Sequence, residues 1–259
     1  MNSCYIGQVK KDNKPEKVYI YGRHALVEAL RSAPKTIKNV FLANAEAETE
    51  IVELAAKHNI SVKQLGGSEQ REVGKDAVHQ GVIGVFSPEA LFVDFKQFLD
   101  GLDLSKNPAI AICAEVQDPH NLGAIVRSAA ALGLSGVIIP EHRQVSVTGT
   151  VVKTSVGMVF RIPIVRVGNI NQTIRELKDA GFWIYGLDME GEKLTETKFD
   201  RPSAFVVGNE GSGIREKSLE LCDIKLSIPM HSRAESLNAA VSGAIVFFEW
   251  SRQYPDHLK

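Results

Sequence analysis

The sequence predicts an α/β protein built from two domains. In the C-terminal half, continuous apolar runs alternate with segments whose apolar residues recur at helical spacing. Uninterrupted apolar runs are typical of parallel strands covered on both faces, and their alternation with helices is typical of an open α/β sheet. In the N-terminal half the strands and helices are shorter, and a stretch rich in turn residues follows them. A chain of 259 residues is long enough for two modest domains.

The N-terminal part divides into an arm and a small domain. Residues 1–16 are polar and lack the apolar core of a secretory signal, so we expect a flexible arm. A small α/β domain is predicted over 17–88. Its strands are expected at 18–21, 37–42, 62–65 and 82–86, and its helices at 22–31 and 48–58.

A linker is predicted over 89–107, where proline, glycine and asparagine flank an amphipathic segment that could form one short helix. The second domain is predicted over 108–259. Its strands are expected at 109–114, 136–139, 182–186 and 204–207, with a short strand that ends before Pro229. Its helices are expected at 122–132, 170–180, 214–221 and 237–252.

Charge, cysteine spacing and hydropathy give no sign of a strongly basic nucleic-acid binder, a cysteine-ligated metal protein or a membrane protein. Lys and Arg total 30 against 31 acidic residues, so the overall charge gives no sign of nucleic acid, although a near-neutral chain can present a local basic face. Cys4, Cys113 and Cys222 show no metal-ligand spacing and fit a reducing cytosol. No apolar run reaches the roughly 18 residues of a membrane span. We therefore expect a cytoplasmic protein without a metal or a membrane partner.

Three segments place polar residues where a strand ends and a loop begins, which is where open α/β sheets bind ligands. In the first, Asp118 or Asn121 can cap the helix that follows, and Gly133 can end it. Arg127 falls on the face opposite the apolar stripe, among alanines that leave room for a large partner. Taken alone, such an arginine is more simply a solvated charge.

The second segment is a buried strand that runs into the glycine-rich turn Val207-Gly-Asn-Glu-Gly-Ser-Gly213. The turn is neither a dinucleotide fingerprint nor a phosphate-binding loop of the Walker type. Its glycines allow the backbone to approach a ligand closely. Glu210 would repel a phosphate, so this turn suits a cationic or hydroxyl-bearing ligand better.

The third segment joins Ile228-Pro-Met230 to Ser236-Leu-Asn238, followed by a helix rich in small residues. Ser236 is predicted to be the N-cap of that helix. Asn238 is a poor helix former, so its position in the predicted first turn has no simple structural reason.

In this order, the three segments resemble the SpoU (TrmH-type) family of RNA 2′-O-ribose methyltransferases. The matching stretches are 121–127, 207–213, 228–230 and 236–238, with 153–157 similar to an intervening family segment. Residues 21–30 and 79–82 resemble the substrate-binding extension of members that modify large-subunit ribosomal RNA, a domain similar to ribosomal protein L30e. The sequence departs from the family at His231-Ser232-Arg233, where a glycine is common, so the path of this loop stays open.

The resemblance implies a C-terminal α/β-knot domain with a deep trefoil knot, preceded by the L30e-like domain. It implies S-adenosylmethionine as the cofactor, bound largely by backbone, and a homodimer whose active site uses both chains. It implies methyl transfer to a ribose of structured RNA, expected to be a guanosine of 23S rRNA. The matching cofactor-binding positions are Val207, Gly208, Ile228, Met230 and Leu237.

The same resemblance implies five catalytic residues. Arg127 matches the family's catalytic arginine, and because an arginine stays protonated we expect it to hold a phosphate and stabilise the forming alkoxide. Asn121 is expected to orient Arg127 or the ribose, and Glu210 to fix Arg127 or bind the cationic side of the cofactor. Ser236 and Asn238 are expected to bond the backbone of the site and the substrate.

Two or three basic residues of the first domain are expected to contact RNA phosphates. The candidates are Arg23, Arg31, Lys35, Lys38, Lys63, Arg71 and Lys75. Three alternatives stay open: the same chemistry on transfer RNA, an RNA-binding protein on this scaffold without catalysis, and a Rossmann-like nucleotide enzyme. The absence of a GxGxxG motif after the first strand of the second domain argues against the last.

Overall fold

The computed structural model describes residues 18–73 and 79–259. The predicted arm at 1–16 lies outside the described residues. The first sheet has four strands in the spatial order β1-β4-β2-β3, in which β2 and β3 are parallel and the other neighbours antiparallel. These strands are β1 (Val18–Tyr21), β2 (Ile37–Leu42), β3 (Ser61–Gln64) and β4 (Val82–Phe86). The accompanying helices are α1 (Arg23–Ser32), α2 (Thr49–Lys57) and α3 (Gly67–Val73).

The apolar stripe of α1 lies on the first sheet, as its spacing predicts. Leu26, Ala29 and Leu30 are fully buried, as is Ile20 in the adjacent strand. Helix α3 was not predicted, because its sequence Gly-Ser-Glu-Gln-Arg-Glu-Val has no apolar stripe that would indicate a helix.

The second sheet has seven strands in the order β11-β9-β10-β6-β7-β8-β5, and every pairing in it is parallel. The strands are β5 (Phe92–Val93), β6 (Ala109–Cys113), β7 (Gly136–Pro140), β8 (Ile164–Val167), β9 (Trp183–Lys193), β10 (Ser203–Val207) and β11 (Ile224–Ser227). All residues of β6, β7 and β10 are buried. The prediction of a parallel sheet covered on both faces is confirmed.

Helices cover this sheet on its two sides. They are α4 (Phe95–Asp100), α5 (Pro119–Ala131), α6 (Gly149–Thr154), α7 (Ile170–Asp179), α8 (Glu216–Leu219) and α9 (Ala239–Gln253). The apolar residues of α5, α6 and α9 share one core cluster, whereas those of α4 and α7 belong to a second cluster on the opposite face. Helix α5 ends where predicted, because Gly133 adopts a positive φ of 79°.

The segment predicted as a linker, 89–107, is folded against the second sheet. Strand β5 pairs with β8 at the sheet edge, and the side chain of Phe98 in α4 is buried. The sequence does not indicate strands β5 and β8 or helix α6, because β5 has only two residues, Arg166 interrupts the apolar run of β8, and α6 has only two large apolar residues.

The two sheets belong to units that are packed against each other. Arg161, just before β8, donates two 2.6 Å hydrogen bonds to the carboxylate of Glu28 in α1. The rings of Phe86 and Phe160 meet edge to face at 5.6 Å.

Within 18–73 and 79–259, no helix has the length and apolar character needed to cross a membrane.

Candidate active site

The three polar segments meet at one edge of the second sheet, beyond the carboxyl ends of its strands. The first opens α5 after β6, the second follows β10, and the third joins β11 to α9. Parallel strands end on the same side of a sheet, so residues far apart in the chain become neighbours.

Glu210, in the glycine-rich turn, is bonded to the beginning of α5. Its carboxylate accepts a 2.9 Å hydrogen bond from Nδ2 of Asn121 and bonds of 3.1 and 3.3 Å from the backbone N–H groups of Asp118 and Gln117. Partial burial works to raise the pKa of Glu210, but these hydrogen bonds outweigh it and hold that pKa below its usual value. A charged carboxylate at this place also complements the positive end of the helix dipole.

Asn238 extends the network to the third segment. Its Nδ2 donates a 2.9 Å hydrogen bond to Oδ1 of Asn121, and its own Oδ1 accepts from the backbone N–H groups of Ala240 and Val241. The prediction that Ser236 caps α9 is therefore wrong, because Asn238 is the N-cap. Asn238 stands before the first turn rather than in it, which explains an asparagine at this position.

A cavity of about 380 Å³ opens beside this network, within the range typical of small-molecule sites. It is lined by all of the positions expected to bind cofactor, namely Val207, Gly208, Ile228, Met230 and Leu237. Glu210 and Ser236 also line it.

Sequence analysis did not identify Leu187, Asp188 and Met189, which line the same cavity from β9. The apolar run of this strand gives way to a polar residue at Asp188, as it does at Glu115 after β6 and at Asn209 after β10, so the same strand-end pattern marks the position. The strand was expected at 182–186, which stops short of these residues, whereas β9 continues through them to Lys193.

The turn that carries Glu210 is closed on itself. Oδ1 of Asn209 accepts from the backbone N–H groups of Gly211 and Ser212, and Nδ2 of Asn209 donates to the carbonyl of Glu115 at 2.9 Å. At Gly208 a Cβ atom would lie 2.3 Å from the carbonyl carbon of Gly213, so only glycine fits there.

Arg127 does not join this network within one chain. It is exposed on α5, does not line the cavity, and has no side-chain hydrogen bond or ion pair to any described residue. Six residues separate it from Asn121, which turns its side chain about 120° around the helix axis. Glu210 therefore does not fix Arg127 in this chain.

Helix α9, which packs beside the helix of Arg127, presents an exposed apolar surface. Helix α9 packs beside α5 and leaves Val241 and Phe248 47% and 57% exposed. On α5 the neighbours of Arg127 on its own face are the small residues Ala124 and Ala131. An exposed apolar patch of this kind marks an interaction surface.

Several basic residues of the first unit are already paired. Arg23 contacts Glu48 and Glu50, and Arg31 contacts Glu50 at 2.5 Å. Arg71 donates to the carbonyl of Gly67, whereas Lys35, Lys38 and Lys63 are exposed, and Lys75 lies outside the described residues. Over the part of the chain that the structure describes, no group of His, Cys, Asp and Glu side chains is placed to hold a metal ion.

Comparison with protein families matches two parts of the chain. Residues 108–248 match the model of the SpoU rRNA Methylase family, and residues 19–91 match a model described as RNA 2′-O ribose methyltransferase substrate binding. The two matches correspond to the second and the first sheet.

Relatives and solved structures agree with these matches. A 23S rRNA (guanosine-2′-O-)-methyltransferase RlmB of Neisseria meningitidis is 37% identical over 90% of this chain and 94% of its own. Its namesake in Nitrosomonas europaea is 35% identical over 91% and 92%. The fold is similar to that of the SpoU methyltransferase AviRb from Streptomyces viridochromogenes in complex with AdoMet, with a TM-score of 0.78, 24% identity, and 92% and 90% of the two chains covered.

Proposed function

The chain belongs to the SpoU rRNA methylase family, and on that premise we propose that it methylates the ribose 2′-hydroxyl of a guanosine in 23S rRNA, with S-adenosylmethionine as the methyl donor. The observation that carries this proposal is the hydrogen-bonded line Asn238–Asn121–Glu210 beside the cavity. The named activity of the relatives in Neisseria and Nitrosomonas supports the choice of base and of RNA.

The cavity has the chemistry to hold S-adenosylmethionine. Leu187, Ile228 and Met230 offer apolar walls for a planar base, and Asp188 offers a carboxylate for hydroxyl or ammonium groups. Val207 and Gly208 bring backbone to the cavity without bulk. When bound, this cofactor supplies an electrophilic methyl group on a positively charged sulfur.

We assign Glu210, Asn121 and Asn238 a positioning role at the edge of the cavity. The carboxylate of Glu210 is occupied by Asn121 and by two backbone N–H groups, so it fixes α5 against the glycine-rich turn. Asn238 fixes the amide of Asn121 in turn. Ser236, which is exposed at the cavity, remains available to bond the substrate.

Arg127 acts, in this proposal, on the reacting oxygen of the substrate held by a second copy of the chain. The 2′-hydroxyl must give up its proton, to a phosphate oxygen of the substrate or to a water, as its oxygen forms the new bond to carbon. A guanidinium that also holds the neighbouring phosphate would stabilise the negative charge that this proton loss leaves on the ribose oxygen. The exposed apolar surface of α9, a helix that packs beside α5, supports a homodimer in which α5 faces the partner's cavity.

We further assign residues 17–88 to an L30e-like RNA-binding domain and 108–259 to the α/β-knot methyltransferase domain, with 89–107 folded against the sheet of the second domain. The trefoil knot is expected in the part of the chain that runs from β10 through α9, where the family motifs border the cavity. Ribosomal RNA as the substrate implies action in the cytoplasm.

The test is methyl transfer from labelled S-adenosylmethionine to ribosomal RNA and to transfer RNA, kept separate, followed by mapping of the 2′-O-methylated positions. A single mark on a guanosine of 23S rRNA supports the proposal. A mark on transfer RNA would support the chemistry and refute the proposed substrate. If the protein binds S-adenosylmethionine but methylates neither naked RNA nor RNA assembled with ribosomal proteins, the proposed activity is refuted.

A further inference from the structure

Tyr21 and Lys153 meet where the two units are in contact. Tyr21 is the last residue of β1 in the first unit, and Lys153 lies in α6 of the second. The Nζ atom of Lys153 is 5.4 Å from the centroid of the Tyr21 ring, which is a cation–π distance. Lys153 is exposed and Tyr21 is half-buried, so the ammonium group and part of the ring are accessible from the surface.

Helix α6, which carries Lys153, contacts the beginning of α5, the helix that carries Asn121. Oγ1 of Thr154, next to Lys153, is 3.4 Å from Nδ1 of His120, and His120 directly precedes Asn121. Helices α5 and α6 cross closely here, because a Cβ atom on Gly123 would lie 2.7 Å from Cβ of Thr154. Tyr21 and Lys153 thus lie beside the helix that carries Asn121, and an RNA strand bound at the candidate active site can contact them where it also meets the first unit.

The same strand contains a second tyrosine in a different electrostatic setting. Tyr19 and Tyr21 lie on one face of β1, since side chains alternate along a strand and Ile20 between them is buried. Partial burial and the carboxylates of Glu72 and Glu69 raise the pKa of Tyr19. A phosphate is repelled near Tyr19, whereas Tyr21 has the ammonium group of Lys153 beside it.

We propose that Tyr21 and Lys153 bind an unpaired nucleotide that flanks the methylated one, with its base stacked on the Tyr21 ring and its phosphate bonded to Lys153. This inference rests on the proposed function and adds a recognition element to it. Single-stranded RNA is bound in this way by aromatic rings that stack on bases and by cations that track the backbone. Because each residue comes from a different unit, the nucleotide also senses whether the two units are docked.

The experiment measures binding of a labelled 23S rRNA transcript across a range of salt concentrations, together with methyl transfer. Tyr21→Leu is expected to raise the Kd for RNA roughly tenfold and to leave its salt dependence unchanged, because stacking involves no counterion. Tyr21→Phe keeps the ring and is expected to bind like the wild type. Lys153→Gln is expected to weaken binding and to reduce the slope of log Kd against log salt by about 0.7.

Tyr19→Leu is the matched control, since it removes a ring from the same face of the same strand beside carboxylates. The proposal is overturned if Tyr21→Leu, with unchanged affinity for S-adenosylmethionine, binds RNA as tightly as Tyr19→Leu. It is equally overturned if Lys153→Gln keeps the wild-type salt slope, a result that does not depend on the folding of the tyrosine variants. Failure of the wild type to bind or methylate 23S rRNA would refute the proposed function itself, which these variant comparisons cannot do.

Discussion

The side-chain amide of Asn121 donates a 2.9 Å hydrogen bond to the carboxylate of Glu210, although 89 residues separate them in the chain. The bond joins the beginning of α5 to the glycine-rich turn after β10. Since Asn238 donates to the other end of the same amide, Asn121 is held in one orientation by two neighbours. The site is therefore organised before any ligand arrives, which is what precise positioning of a reacting oxygen requires.

Replacing Glu210 by glutamine tests this organisation. Asn121 and the backbone N–H groups of Asp118 and Gln117 all donate to the carboxylate of Glu210. A glutamine has only one oxygen, so the donors that face its NH2 group lose their acceptor. We expect a loss of about 1 kcal/mol in unfolding free energy and a fall in kcat of at least roughly tenfold. Glu210→Asp, which keeps the charge but shortens the reach, serves as the comparison, and wild-type turnover in Glu210→Gln would contradict the role.

Asn238 and Ser236 separate capping from ligand binding. Asn238→Ala removes the N-cap of α9 and is expected to lower stability by about 1 kcal/mol. Ser236→Ala removes no cap, so its thermal unfolding temperature should equal that of the wild type within error. Because Ser236 lines the cavity and is proposed to bond the substrate, the KM for the RNA substrate should rise. The reverse order of stabilities would show that the helix begins at Ser236 after all.

The sequence predicts strands β6, β7, β9 and β10 because buried parallel strands contain four or more apolar residues in a row, a signal that β5 and β8 lack. The family resemblance gives five of the residues that line the cavity, around Gly208 and Ile228, whereas Leu187, Asp188 and Met189 lie outside its motifs. The sequence does not reveal that Asn121, Glu210 and Asn238 bond one another, because that depends on which strands become neighbours. The choice between Ser236 and Asn238 as the cap was also beyond the sequence, since both are good N-caps and lie two residues apart.

Acid should weaken the contact between the two units through Glu28. Hydrogen bonds from Arg161 and Ser32, against partial burial, hold the pKa of Glu28 below its usual value. Because the pKa of Glu28 is lower in the folded protein than in the unfolded chain, its ionisation stabilises the fold. This stabilisation is complete above the pKa of the unfolded chain and is lost as the pH falls through the pKa of the folded protein. We expect Glu28→Gln to cost about 1 kcal/mol near neutral pH, because Arg161 is half exposed. Denaturation curves should show this difference shrinking below about pH 4.5. A difference independent of pH would contradict the ion pair as its cause.

Arg127 offers a test of the two-chain site by mixing inactive variants. Arg127→Ala removes the guanidinium, and Gly208→Ala places a Cβ against Gly213 and distorts the turn that borders the cavity. If Arg127 serves the partner's cavity, a mixed dimer has one complete site, formed by the intact cavity of one chain and the intact arginine of the other. Random reassociation then restores about a quarter of wild-type methyl transfer, because about half of the dimers are mixed and each has one working site of two.

If Arg127 instead serves its own chain, every site in the mixed dimer lacks either the arginine or the cavity, and mixing restores nothing.

The turnover of Arg127→Lys, compared with that of Arg127→Ala, tests whether the shape of the guanidinium matters. A lysine keeps the charge but not the planar fork that binds a phosphate through two bonds, so turnover should fall well below the wild type. Wild-type turnover with lysine would mean that charge alone, and not guanidinium geometry, supports the reaction.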